Sequence, residues 1–224
     1  MSRDVPISRP LLDDKIALWL STSRMTDGLW IGSSHGDPEP ALQRVEAALE
    51  LMEDISPLHY RRVKSSLSRI WVKLVPHGTG CYLHSLNACL LDARVVASET
   101  TTLEWIASAI IHEATHARLE KRGVRYDEPV RHRIERICAR RELDFALRLP
   151  SADTLLGEIN WRLERCNENA PFTDKKMSEG IDQGYEDMLR HLGTPEWVIS
   201  PVSKARDLVI WLHRFIRRIA AASV

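Results

Sequence analysis

A helix-dominated α+β fold with a small antiparallel or mixed sheet is what three features of the sequence predict. Apolar residues recur at a period of 3.6 through most of the chain. The period drops to 2 only between about residues 70 and 97, where strands belong. The third feature is chemical: His112-Glu113-Ala114-Thr115-His116 stands in mid-helix, below a run of apolar residues.

Taken in order, residues 1–36 read as loop around a short helix near Leu12 to Ser21, with turns at Asp27-Gly28 and from Gly32 to Gly36. A helix starts after Asp37-Pro38 and runs to about Asp54, with Leu42, Val45, Leu49 and Met52 as its stripe. Pro57 opens another, to about Leu67. Ile70, Val72 and Leu74 alternate with Trp71, Lys73 and Val75 in a strand. Pro76 to Gly80 is a turn, and Cys81–Leu86 and Ala88–Ala97 read as further strands.

The motif helix follows. Thr101 and Glu104 match a capping box, Trp105, Ile106, Ala109, Ile110 and Ile111 form its stripe, and Gly123 stops it. A second helix is expected from Pro129 and Val130 to Leu147, with Val130, Ile134, Ile137, Cys138 and Phe145 on its apolar face. Beyond Pro150, helices are expected over about 151–166, 175–192 and 201–222. The expected organisation is one domain over 1–150, with a C-terminal helical part, 151–224, packed on it.

Composition bounds the rest. The chain has 224 residues, 44% hydrophobic and 28% charged, with zero formal net charge. This suits a globular protein and speaks against a broad nucleic-acid footprint, so no nucleic-acid partner is expected. No run is long and apolar enough to span a bilayer, and residues 1–6 carry no apolar signal region. Cytoplasmic residence is the expectation, although export without a signal peptide leaves no mark on a sequence. Cys81, Cys89, Cys138 and Cys166 form no Cys-x-x-Cys pair and read as free thiols of a reducing compartment. Cys81 and Cys89 are also spaced to pair across a hairpin. The last helix sets Leu208, Leu212, Phe215 and Ile219 against Arg206, Arg214, Arg217 and Arg218. Such a helix docks on a core, or contacts an anionic membrane surface as a peripheral partner.

The motif carries the chemistry. Residues four apart lie on one helical face, so His112 and His116 can offer two imidazoles to one metal ion. Glu113 is turned about 100° away, at the rim, where it can take a proton from water. The segment from Ile110 to Ala117 resembles the active-site helix of the zincin metallopeptidases, and the resemblance covers about residues 70–150. It implies one zinc per chain, peptide or protein substrates, and Glu113 as catalytic general base. The strand before such a helix pairs with substrate in that family, and Leu90–Val96 is the natural counterpart.

A catalytic zinc needs a third protein ligand. The metzincin subclass is excluded, because Arg122 stands at its third histidine and Leu119 at its glycine. The gluzincin pattern takes a glutamate from a second helix. Glu135, on the border of that helix's apolar face with small residues Cys138 and Ala139 following, is the choice. Glu142, one heptad on, is next, followed by Glu128, Asp127 and His132. The competing view makes Glu135 an ordinary salt-bridge partner of Arg131 and its neighbours. His132, Tyr126 and Tyr185 are candidate stabilisers of the oxyanion. The function expected is zinc-dependent peptide hydrolysis. The alternatives are a non-catalytic metal-binding regulatory module and a helical interaction protein with a fortuitous motif.

Overall fold

In the computed structural model, residues 12–76, 78–167 and 172–202 are described. The expected helix over 201–222 lies almost wholly outside them. The fold is α+β, with helices layered on a five-stranded mixed sheet.

The sheet is β1 (Thr22–Thr26), β2 (Leu29–Ser33), β3 (Arg69–Lys73), β4 (Gly80–Leu83) and β5 (Ala88–Asp92), in the order β1-β2-β3-β5-β4. β2, β3 and β5 run parallel; β1 and β4 pair antiparallel at the two edges. Where the sequence predicts loop and a turn, the structure forms the β1–β2 hairpin. Asp27 and Gly28 both have positive φ, 51° and 81°, and join Thr26 directly to Leu29. That is the two-residue turn whose twist matches antiparallel strands.

Alternation sorts the sheet's two faces. Ile70 and Val72 of β3, with Cys89 and Leu91 of β5, meet the helices α2 (Pro38–Ile55), α3 (Pro57–Ser66) and α5 (Leu103–Glu120). Trp71, Ala88 and Leu90 face the other way, toward Ala17 and Leu18 of α1 (Leu12–Leu20). Every residue of β5 is buried, as expected of a strand flanked on both sides and covered on both faces.

The long strand expected over Ala88–Ala97 is cut short. It ends at Asp92, and residues 93–97 form the helix α4 (Ala93–Ala97). Asp92 drives the switch. Its fully buried carboxylate accepts from the Arg94 amide at 2.8 Å, from the Val75 amide at 3.3 Å, and from the Arg94 guanidinium at 2.6 Å. Asp92→Ala leaves those donors unpaired at about 3 kcal/mol. The thermal midpoint is expected to fall by roughly 10 °C. A midpoint within error of the parent would show that the cap does not hold this corner. The expected strand over 81–86 likewise stops at Leu83 and closes into a 3-10 turn, His84–Leu86.

Three longer helices follow, α6 (Glu128–Ala146), α7 (Asp153–Arg165) and α8 (Asp174–His191), and residues 196–202 are helical as well. α6 lies along α5, and α7 lies along α6 through Ala146, Leu155 and Ile159. On α6, Ile137 is exposed, contrary to its expected place on the apolar face, while Arg131 and Glu142 are buried. The packed face runs through 131, 135, 138, 142 and 145, and Ile137 is rotated off it. Among the described residues, no helix is long and apolar enough to cross a membrane.

Candidate metal centre

α5 starts one residue later than the capping box implies. Thr102 is the cap, and its side-chain oxygen accepts from the Trp105 amide at 3.2 Å. At the other end Gly123, at φ 79°, lets the Val124 amide reach back to the Leu119 carbonyl at 3.1 Å. Between these caps Ile106, Ile110 and Ala114 lock the helix to the sheet. His112 and His116 then project from its other side, toward α6.

Their Nε2 atoms lie 3.1 Å apart. The Glu135 carboxylate faces both, with Oε2 3.1 Å from His112 Nε2 and Oε1 3.4 Å from His116 Nε2. The three side chains converge on one point. Tyr126 braces the group from the loop before α6: its hydroxyl donates to Glu135 Oε1, and its ring packs edge-on against His116 with centroids 5.2 Å apart.

Glu142 is placed differently from a ligand. It is fully buried and reaches the far nitrogen of His112, with Oε1 2.6 Å from Nδ1. Its other oxygen accepts from Ser108 at 2.8 Å and pairs with Arg162 of α7 at 2.9 Å. A carboxylate on Nδ1 fixes the ring's orientation and leaves Nε2 free for a metal. The remaining sequence candidates are not brought in. The Glu128 carboxylate accepts from the Asp174 amide at 2.7 Å, and Asp127 is exposed and pairs with Arg125 at 3.2 Å. His132 and Tyr185 do not border the cavity beside the histidines.

Charge is concentrated here. Burial opposes a charge on His112, but Glu142 and Glu135 outweigh it and hold the imidazole well above its ordinary value. Burial likewise acts against ionised Glu135, yet its bonds to His112 and His116 hold the carboxyl well below its ordinary range. Glu113 is pushed upward, first by burial, with the two imidazoles pulling the other way. A buried and a partly buried carboxylate that attract positive charge around two imidazoles form a site suited to a cation.

A cavity of about 440 Å³ opens beside the group, bordered by Glu113, Tyr126, Arg162 and residues of β4. Glu113 is buried and accepts no hydrogen bond among the described residues. Gly80 faces it: a Cβ there would sit 3.9 Å from Glu113 Oε1 and 2.8 Å from the Leu90 carbonyl oxygen. The strand bordering the cavity is therefore β4, at the sheet edge. The expected counterpart, Leu90–Val96, is half interior strand and half helix, because β5 is enclosed between β3 and β4.

Beyond Glu135, the α6 face supplies one donor that the sequence reading left as a core residue. Cys138 is fully buried, and its sulfur and one nitrogen of each of His112 and His116 all lie within 4.8 Å of one another. The i, i+3 relation to Glu135 was the available signal. Compared with family models, curated proteins and solved structures, the chain matches none.

Proposed function

We propose that this protein is a zinc-dependent peptidase, holding one zinc per chain through His112, His116 and Glu135, with Glu113 as general base. The observation that carries the reading is the convergence of two imidazole Nε2 atoms and a carboxylate beside a buried glutamate that lines a cavity. The donor set fits the ion. Bonds of about 2.0–2.2 Å in tetrahedral arrangement place ligand atoms roughly 3.3 Å apart; the two Nε2 atoms lie 3.1 Å apart, and each has one oxygen of the Glu135 carboxylate at 3.1 or 3.4 Å. When bound, zinc supplies a Lewis acid that polarises the scissile carbonyl and acidifies water.

The chain's own groups supply the rest. Glu113 accepts a proton from the attacking water and delivers it to the amine that leaves when the peptide C–N bond breaks. An upward-shifted carboxyl suits both halves of that transfer. Glu142 holds His112 in the tautomer that presents Nε2, and Tyr126 holds Glu135. Among the described residues no strand pairs with the outer edge of β4, and an extended peptide added there would cross the cavity in front of Glu113. Of the three residues considered for the oxyanion, Tyr126 alone borders the cavity among the described residues.

The test is metal content and peptide cleavage in one preparation. The parent is expected to carry about one zinc and to cleave a casein or mixed-peptide pool. His112→Ala and His116→Ala should each lose most of the zinc and the activity. If both variants keep as much zinc as the parent, the site lies elsewhere and the reading fails. Full zinc with no cleavage of any pool would instead identify a metal-binding module.

A further inference from the structure

We propose that Cys138 is a fourth protein ligand of the same ion, so that the resting site is closed by two imidazoles, a carboxylate and a thiolate. The inference rests on the metal reading above and adds a donor that the zincin resemblance does not supply.

Three observations carry it. The Cys138 sulfur belongs to a group of donor atoms, with His112 and His116, that lie within 4.8 Å of one another. One zinc with bonds of about 2.3 Å to sulfur and 2.0–2.1 Å to nitrogen needs those atoms roughly 3.6 Å apart in a tetrahedron, a separation inside the 4.8 Å that bounds the group. Second, Cys138 stands three residues after Glu135 on α6, so both donors issue from one face, just as His112 and His116 issue from one face of α5. Third, the thiol is fully buried and has no hydrogen-bond partner among the described residues, although it sits amid polar and charged groups. A thiol serving only as a small apolar filler has no need of that place.

The ion decides the protonation state, since a coordinating thiol is deprotonated outright. The step balances simply: the S–H bond breaks, the proton goes to solvent, the S–zinc bond forms, and nothing is oxidised or reduced. Zinc sites that keep all four positions for protein donors are closed, whereas hydrolysis leaves one position to water. The sulfur fills that position in the resting site, so it has to leave the ion and regain a proton from solvent before water can take its place.

Cobalt(II) loaded into the full-length protein reads the ligand directly. The parent is expected to show a sulfur-to-cobalt charge-transfer band in the near ultraviolet. The band should be absent in Cys138→Ala and Cys138→Ser and retained in Cys166→Ala. X-ray absorption of the zinc-loaded parent, which needs no variant to fold, should show one sulfur at about 2.3 Å beside nitrogen and oxygen at about 2.0–2.2 Å. Metal bound through His112 and His116 with no such band and no sulfur scatterer would overturn the inference and leave the peptidase reading intact. A band that survives Cys138→Ala and vanishes in Cys166→Ala would overturn it as well. A parent that takes up no metal, or His112→Ala and His116→Ala variants that keep all of it, would overturn both.

Discussion

Glu113→Gln is expected to keep its zinc and its melting temperature while losing hydrolysis by about a hundredfold or more. The substitution is isosteric, and the parent carboxylate accepts no hydrogen bond among the described residues. The amide therefore breaks no contact that holds the fold. What it loses is basicity, because it cannot take the water proton at the centre of the cavity. Burial already lifts Glu113 above an ordinary carboxyl, so the parent residue is matched to proton exchange and the amide is not. The measurement is turnover on a peptide pool, with zinc per chain and thermal midpoint in the same preparations. Undiminished turnover at full zinc would remove Glu113 from the role of base.

Among the acidic residues of α6, zinc affinity is expected to fall furthest in Glu135→Ala. Its carboxylate lies 3.1 and 3.4 Å from the two Nε2 atoms, so the variant loses a bond to the ion. Glu142→Gln loses only the strong acceptor 2.6 Å from His112 Nδ1, an outer-shell effect of about 10–100-fold. Glu128→Ala should be silent for metal, since that carboxylate is used on the Asp174 amide. If Cys138 is a ligand, Glu135→Ala retains three donors, and adding Cys138→Ala should then release the ion almost completely. Competition against a chromophoric chelator ranks the four proteins. A greater loss from Glu142→Gln than from Glu135→Ala would mean that the ion is held from the Nδ1 side, contrary to the ligand assignment.

Much of the local structure was legible because its causes are local. The i, i+4 histidines, the stripe ending at Ala117, the Pro starts of α2, α3 and α6, and the alternation of Ile70, Trp71 and Val72 are written in short windows of chain. Glu135 stood out as a carboxylate on the border of an apolar face, and α6 does bring it between the histidines. The β1–β2 hairpin was missed because β1, Thr-Ser-Arg-Met-Thr, is mostly exposed and carries little apolar pattern. Its Asp27-Gly28 turn was the surviving signal. Ala88–Ala97 read as one strand because Val95 and Val96 continue the apolar run, while the switch at Asp92 depends on Val75 and Arg94 arriving beside it.

By itself, then, the sequence determined an α+β chain, the motif helix, and the pair of imidazoles on one of its faces, since periodicity and spacing act over one or two turns. Only the tertiary structure decided which strand borders the cavity, because strand order follows from packing β5 between β3 and β4. It also divided the roles of Glu135 and Glu142, a heptad apart on one helix. The crossing of α6 over α5 sets one at Nε2 and the other at Nδ1. The same crossing turned Cys138 from one apolar position in a stripe into a sulfur beside two imidazoles. No window of α6 alone encodes that contact, because its partner residues lie more than twenty positions away and are brought there by the shared core.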